Sequence, residues 1–432
     1  MRQQSPIEKI TAPVNKFIHQ EHTSGIVLFI SVVLAIVWVN SPLQHFYQEL
    51  WDIKFTIGFA GHMLDHSLHL WINDGLMAIF FFVIGLELKR EFISGELSSI
   101  KKASMPMIAA LGGMLVPAFI YFLINKGLPS EHGWGIPMAT DIAFALALLS
   151  IAGKRIPPSV KVFLSALAVA DDLGAVLVIA VFYSSHIALE PLTIGTWLLV
   201  ILLIGNKMGI RSIAFYLVIG FAVWVAFLLS GIHATIAGVL VAFTIPARTR
   251  INEKSYANNL RKLLFHFEKE IPNNSTLTTP EQHHTIEQIK KLSTDAETPL
   301  QKIEFMLHPW VAFVVMPLSA LANAGIVIGS NFFSALINPV SLGVTLGLLA
   351  GKFIGVLTGT WLMVKFGGQL PAKSTWKQIA GVALLAGVGF TMSLFISGLA
   401  FSHPGMVDQA KYGILLASLL AGFLGVMVLK KV

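Results

Sequence analysis

The chain has 432 residues, of which 55% are hydrophobic and 12% charged, with a formal net charge of +7 and no cysteine. A soluble domain carries roughly 25% charged residues, so a water-exposed fold is excluded, and without cysteine there is no disulfide, thiolate metal site or thiol catalysis. The basic residues are spread through the segments between apolar stretches, so no nucleic-acid partner is expected.

A polar run, Met1 to Thr23, comes first. It lacks the early apolar core and small-residue site of a cleavable signal, so it is expected to be a cytoplasmic N-terminal segment, 1–23. Apolar stretches long enough to cross a hydrocarbon core about 30 Å thick then recur along the chain. A backbone in lipid must satisfy its own hydrogen bonds, so these stretches are predicted to be helices. Twelve spans are predicted, at about 24–41, 72–92, 104–124, 135–152, 158–184, 192–208, 212–230, 232–247, 307–328, 340–364, 378–400 and 409–430. The expected fold is an all-α polytopic membrane protein, with spans 1–8 in 24–247 and spans 9–12 in 307–432. Placing the N-terminus in the cytoplasm leaves only Lys54, Lys126 and Lys411 outside, with Lys352 inside a span; basic loops favour the cytoplasm, so both termini are expected there.

Two connections are long. Between spans 1 and 2, Trp51 to Phe59 alternates polar and apolar residues, which predicts a periplasmic hairpin within about 43–71. Paired edge strands of such a hairpin could join two protomers, so a homodimer is an expected assembly. Between spans 8 and 9, residues 248–306 form a largely polar cytoplasmic loop. Within it Leu260, Leu263, Leu264, Phe267 and Ile271 share one stripe of an amphipathic helix. That helix could rest on lipid or on the bundle, or act as a regulatory flap. His308-Pro309, at the head of span 9, has the form of a helix start.

Few ionisable residues fall deep in the spans: Asp141, Asp171, Asp172 and Lys352. Each costs at least ~2.5–3.5 kcal/mol at the bilayer centre, and such residues usually mark ion or proton pathways. Asp171 and Asp172 are helix neighbours about 100° apart, so they line adjoining walls of one cavity without sharing a face. Burial and mutual repulsion disfavour the doubly ionised state. The pair suits protons or a small hard cation such as Na⁺, which prefers oxygen ligands. A site that takes either, but not both, is the minimum for exchange.

Span 4 contains Gly135-Ile136-Pro137-Met138-Ala139-Thr140-Asp141. Pro137 removes a helix hydrogen bond and biases Ile136 to extended geometry. Thr140 and Asp141 then form the polar start of a second half-helix. Span 11 has a matching weakness, Ala386-Gly387-Val388-Gly389-Phe390-Thr391-Met392-Ser393, whose glycines could instead serve close helix packing. Spans 3–5 and 10–12 would be inverted repeats, each with a discontinuous crossing helix (spans 4 and 11), a design used by secondary transporters.

Gly85-Leu86-Glu87-Leu88-Lys89-Arg90-Glu91, Ala139-Thr140-Asp141-Ile142-Ala143-Phe144-Ala145, Asp171-Asp172-Leu173-Gly174, Ser230-Gly231-Ile232-His233-Ala234-Thr235, Leu307-His308-Pro309-Trp310 and Gly351-Lys352 occur in this order. They resemble the signature segments of the NhaA-type sodium/proton antiporters over nearly the whole chain. The resemblance implies Asp172 as the main cation ligand, Asp171 as its proton-linked partner and Lys352 paired with that site. It also implies that Thr140 and Asp141 compensate broken-helix termini. The expected activity is electrogenic exchange of Na⁺, and also Li⁺, for protons across a bacterial inner membrane, with membrane lipid as surroundings and no cofactor.

The resemblance implies pH regulation by Glu87, Arg90, Glu91, Glu304 and His308. His233 is a further pH-sensing candidate, or a hydrogen-bonded packing histidine. Two departures from the family pattern bear on the pH set-point: Phe305 stands where the second His motif begins, and the 248–306 loop is long. An intramembrane aspartyl protease would present Tyr-Asp and Gly-x-Gly-Asp, whereas these Asp residues follow Ala170, Asp171 and Thr140, so no enzyme is expected. A sodium-coupled organic anion transporter of similar broken-helix fold is the alternative.

Overall fold

A computed structural model describes residues 21–59, 62–153, 156–184, 187–269, 277–329 and 335–431. Almost all regular structure is helical. Helix α1 (Glu21–Val39) turns by 114° into a short α2 (Gln44–Asp52). One antiparallel ribbon follows, β1 (Lys54–Phe59) on β2 (His62–Ser67), with Lys54 opposite Ser67. Trp51 and Asp52, expected at the start of the alternating strand, are helical, and the extended run begins after the cap at Ile53. The ribbon is held to the bundle where Trp71 Nε1 donates to Phe55 O at 2.8 Å.

Then come α3 (Leu68–Ser94), α4 (Ile100–Asn125), a 3₁₀ segment (Pro129–Met138), α5 (Ile142–Ala152), α6 (Pro158–Phe182), α7 (Leu189–Lys207) and α8 (Ile213–Ser230). Helix α9 (Thr235–Thr244) is short, and α10 (Glu253–Lys269) and α11 (Pro280–Ala296) lie in the polar loop. The chain continues through α12 (Pro299–Asn323), α13 (Pro339–Lys365), α14 (Trp376–Leu385), α15 (Phe390–Ala400) and α16 (Pro404–Lys430). Among the described residues, eight helices are long and apolar enough to cross a membrane unbroken. The number rises to eleven if each sharply bent pair counts as one span. Outward side chains such as Leu115, Phe119, Val218 and Phe221 are exposed apolar groups, as lipid contact requires.

Span 9 starts earlier than its sequence suggests. Thr298 accepts the Gln301 N–H at 3.1 Å and Pro299 occupies the first turn, so the helix begins there. His308 and Pro309 consequently lie inside α12, just before a π-helical turn at Val311–Val315. Of the stripe expected in the loop helix, Leu260, Leu263 and Phe267 are half-buried, Leu264 is exposed, and Ile271 lies outside the described residues.

Lipid offers no hydrophobic drive between helices, so close packing relies on small residues. Helix α13 runs along α4, and Gly355 faces Gly112 there. A Cβ on Gly355 would overlap the Gly112 carbonyl, whereas one on Gly398 in α15 would meet nothing within 4 Å. Gly355→Val is therefore expected to cost more than the roughly 1–3 kcal/mol of an ordinary overpacked core, because backbone must move. Monodisperse yield in detergent should collapse for Gly355→Val and stay at the wild-type level for Gly398→Ala.

Candidate functional site

Two helix breaks meet in the interior. The 3₁₀ segment and α5 are bent by 46° across Ala139–Asp141, and α14 and α15 by 44° across 386–389. The first break falls later than Pro137 predicts. Ile136 and Pro137 stay in the tight 3₁₀ coil, and the extended residues are Ala139, with φ −82° and ψ 145°, and Asp141, with φ −85° and ψ 97°. A 3₁₀ coil closes i→i+3 bonds and so shifts which groups Pro137 leaves unpaired.

Each break leaves backbone groups that the other satisfies. Asp141 N donates to Val388 O at 2.7 Å, Thr140 Oγ1 donates to Ala386 O at 2.8 Å, and Ser393 Oγ donates to Ile136 O at 2.8 Å. Asp141 caps α5 by accepting from Phe144 N at 3.0 Å. Its other oxygen accepts from Thr391 N at 3.1 Å and Thr391 Oγ1 at 2.5 Å. One carboxylate thus caps the starts of two half-helices, where N–H groups are unpaired and the dipole is positive.

Asp171 and Asp172 sit mid-way along α6 beside this junction, both fully buried. Asp171 Oδ2 accepts from Lys352 Nζ at 2.5 Å and lies 2.8 Å from Thr140 Oγ1, whose single hydroxyl hydrogen has Asp171 Oδ2 and Ala386 O as alternative acceptors. Lys352, also fully buried, follows a π-helical turn at Gly347–Gly351 in α13. Such turns re-aim side chains and recur at functional sites. Gly113 of α4 packs beside the pair: a Cβ there would meet Val356 Cγ2 at 2.9 Å and come within ordinary contact of Lys352 Cδ at 3.7 Å and Asp171 Oδ1 at 3.9 Å.

Asp171 Oδ1 and both oxygens of Asp172 are buried with no hydrogen-bond partner among the described residues. Unpaired buried carboxylate oxygens are expensive. Three of them beside a single ammonium form a site that lowers its energy by taking up a proton or a hard cation. Among the described residues, no group of three or more His, Cys, Asp or Glu side chains converges on a metal position.

A cavity of about 920 Å³ is lined by Glu87, Arg90, Glu91, Glu304, Phe305 and His308 among others. Its wall includes Ile142 of α5 and Val169 of α6, the latter one helical turn from Asp172. Arg90 Nη1 pairs with Glu304 Oε1, and Arg90 Nη2 lies 3.4 Å from Glu91 Oε1. Five of the six pH-regulation candidates therefore share one cavity. His233 is not among its lining residues; its Nε2 sits 2.7 Å from Tyr183 O.

Thr391 and Ser393 belong to the weak segment of span 11, but the sequence assigns them no role of their own. Lys89 was seen only within a motif. Its ammonium donates to Phe243 O at 2.7 Å and to Ile245 O, capping the end of the short α9.

Fold and site together define a polytopic helical membrane protein whose core holds a buried acidic site between two broken helices. The chain belongs to the Na⁺/H⁺ antiporter 1 family, whose model matches residues 15–429. It is 47% identical over 427 residues to a Na⁺/H⁺ antiporter NhaA of Oleidesulfovibrio alaskensis, covering 98% of this chain and 95% of that protein. It is 48% identical over 423 residues to Na⁺/H⁺ antiporter NhaA 2 of Syntrophotalea carbinolica, covering 97% and 96%. A Na⁺/H⁺ antiporter NhaA of Koribacter versatilis is 46% identical over 425 residues, covering 98% and 92%.

Proposed function

We propose that this protein exchanges Na⁺, and also Li⁺, for protons across a bacterial inner membrane. The observation that carries the proposal is the set of three partnerless, buried carboxylate oxygens on Asp171 and Asp172 beside the Lys352–Asp171 ion pair. A cation arriving through the cavity meets the Asp172 oxygens first. It recruits Asp171 Oδ1, and Lys352 then loses its hold on Asp171. More protons than Na⁺ move per cycle, so exchange is electrogenic. Thr140 and Asp141 keep the broken ends compensated while the site changes the side it faces. Glu87, Arg90, Glu91, Glu304 and His308 set the pH at which the cavity admits cations.

The matching architecture has twelve passes: the eight unbroken helices, α1, the two bent pairs and the short α9. Helices α4 to α6 and α13 to α16 form the inverted repeats, and the two breaks are where they cross. Basic loops put both termini and the 248–306 segment in the cytoplasm. The β1–β2 ribbon joins two copies edge to edge, which cross-linking of cysteines placed in β1 of this cysteine-free chain tests.

Protons and Na⁺ compete for the same oxygens, so apparent Na⁺ affinity is expected to weaken as pH falls. The loss approaches about tenfold per pH unit where one proton is displaced per ion. Calorimetric titration of the purified protein with NaCl at several pH values checks this. An affinity independent of pH would overturn direct competition. Reconstituted vesicles carrying a pH gradient test the exchange itself: Na⁺ or Li⁺ should collapse the gradient, and accumulation of a labelled organic acid with Na⁺ would favour a sodium-coupled importer.

A further inference from the structure

The loop helices α10 and α11 form a hairpin that the exchange site does not use. The residues lining the cavity include none from the described parts of the hairpin, 253–269 and 280–296. It is tied to span ends instead. Arg250 N donates to Asp295 O at 3.0 Å, and Arg211 donates to Arg248 O at 3.1 Å and to Glu297 O at 2.6 Å. Leu300 N, in the first turn of α12, donates to Pro246 O at 3.2 Å. The hairpin base therefore sits where α8, α9 and α12 end, at one face of the membrane bundle.

Helix α10 has two unlike faces. Tyr256, Leu260, Leu263 and Phe267 recur at helical spacing and are half-buried toward α11, with Tyr256 Oη 3.1 Å from Ser293 Oγ. On the opposite face Lys254, Asn258, Arg261, Phe265 and Lys269 recur at the same spacing and are all exposed, with Lys262 beside them. Phe265 is 64% exposed in the middle of this basic stripe, and neighbouring Leu264 is 46% exposed. Phe265 has Arg261, Lys262 and Lys269 as helical neighbours, with one acid, Glu268, among them; a helix that turns such a ring and a net positive charge away from its packing partner has the chemistry of an interfacial anchor. The apolar ring enters the headgroup boundary and the cations meet lipid phosphates.

We propose that the outward stripe of α10, centred on Arg261 and Phe265, binds the anionic phospholipid headgroups beside the bundle. The occupant follows from charge and place: the stripe is basic, and the hairpin is anchored at span ends that border the bilayer surface. Lipid binding lays the hairpin against the membrane and away from the cavity.

The chain has no native cysteine, so one label reports one position. Asn258→Cys in the full-length protein, carrying a fluorescent label, places the probe on the stripe. Asn259→Cys places it off the stripe. Each is reconstituted in phosphatidylcholine vesicles with or without phosphatidylglycerol and exposed to a water-soluble quencher or to lipid brominated near the headgroup. With phosphatidylglycerol, the label at 258 should lose several-fold of its quenching from water and gain quenching from lipid, while the label at 259 stays water-accessible. Salt at 1 M, where the Debye length is about 3 Å, should reverse the change. So should Arg261→Glu combined with Lys262→Glu, with Na⁺-driven gradient collapse retained. Equal water access at 258 in both lipids would mean a merely solvated face and would overturn the proposal. Shielding from both quenchers regardless of lipid would mean packing against protein, and would overturn it equally.

Discussion

Asp172→Asn is expected to abolish Na⁺-driven proton movement, at least a hundredfold below wild type, while leaving a folded, monodisperse protein. Both Asp172 oxygens are buried with no hydrogen-bond partner among the described residues, so the packed structure does not depend on them. The amide is nearly isosteric and removes the charge for which proton and cation compete. A buried carboxylate left unpaired costs stability, so neutralising it should leave thermal stability unchanged or raised. The assay is Na⁺-induced collapse of a pH gradient in proteoliposomes. Retained exchange would remove Asp172 from the transport chemistry. Asp171→Asn differs, because Asp171 Oδ2 holds both Thr140 and Lys352. It should weaken coupling and stability together, with some cation binding surviving.

Lys352→Arg is the second large effect. Lys352 Nζ is fully buried and lies 2.5 Å from Asp171 Oδ2. If Na⁺ displaces that contact, a stranded ammonium in a dry interior gives up its proton, and Lys352 becomes a carrier in the cycle. Arginine keeps the charge but does not deprotonate in a protein. The carrier role therefore predicts that Lys352→Arg folds yet moves one proton fewer per Na⁺, giving electroneutral or failed exchange. The membrane potential generated by a Na⁺ gradient in vesicles reads this directly, and wild-type potential would make Lys352 a structural charge. Lys352→Ala separates the roles from the other side. It strands Asp171 without its cation, and breaking a buried pair this way costs about 3–5 kcal/mol. Poor folding there, with good folding for arginine, assigns the ion pair its structural share.

The sequence by itself determined what lipid leaves no choice about. Apolar runs of membrane length have one local solution, a helix that closes its own hydrogen bonds, so the polytopic helical class was legible from composition and spacing. The deep acids were legible for the same reason, since Asp141, Asp171 and Asp172 stand out in an interior that penalises charge. Helix starts governed by neighbours three residues apart were within reach as well. Thr298 with Gln301 marks the start of α12, a local signal that lies ten residues before His308-Pro309.

What only the tertiary structure decided are partnerships between residues far apart in the chain. Asp141 meets Thr391 across 250 positions, Arg90 meets Glu304 across 214, and Lys352 meets Asp171 across 181. No periodicity encodes such pairs: the first arises where two broken helices supply each other's unpaired backbone groups, and the other two are ion pairs between side chains of separate helices. The same packing moved the first break from Ile136 to Ala139–Asp141, where the carbonyl of Val388 was available to receive Asp141 N. It also gave the adjacent aspartates different surroundings. Asp171 turns toward Thr140 and Lys352, while Asp172, about 100° further round the helix, keeps both oxygens without a described partner, a difference set by which helix each side chain faces.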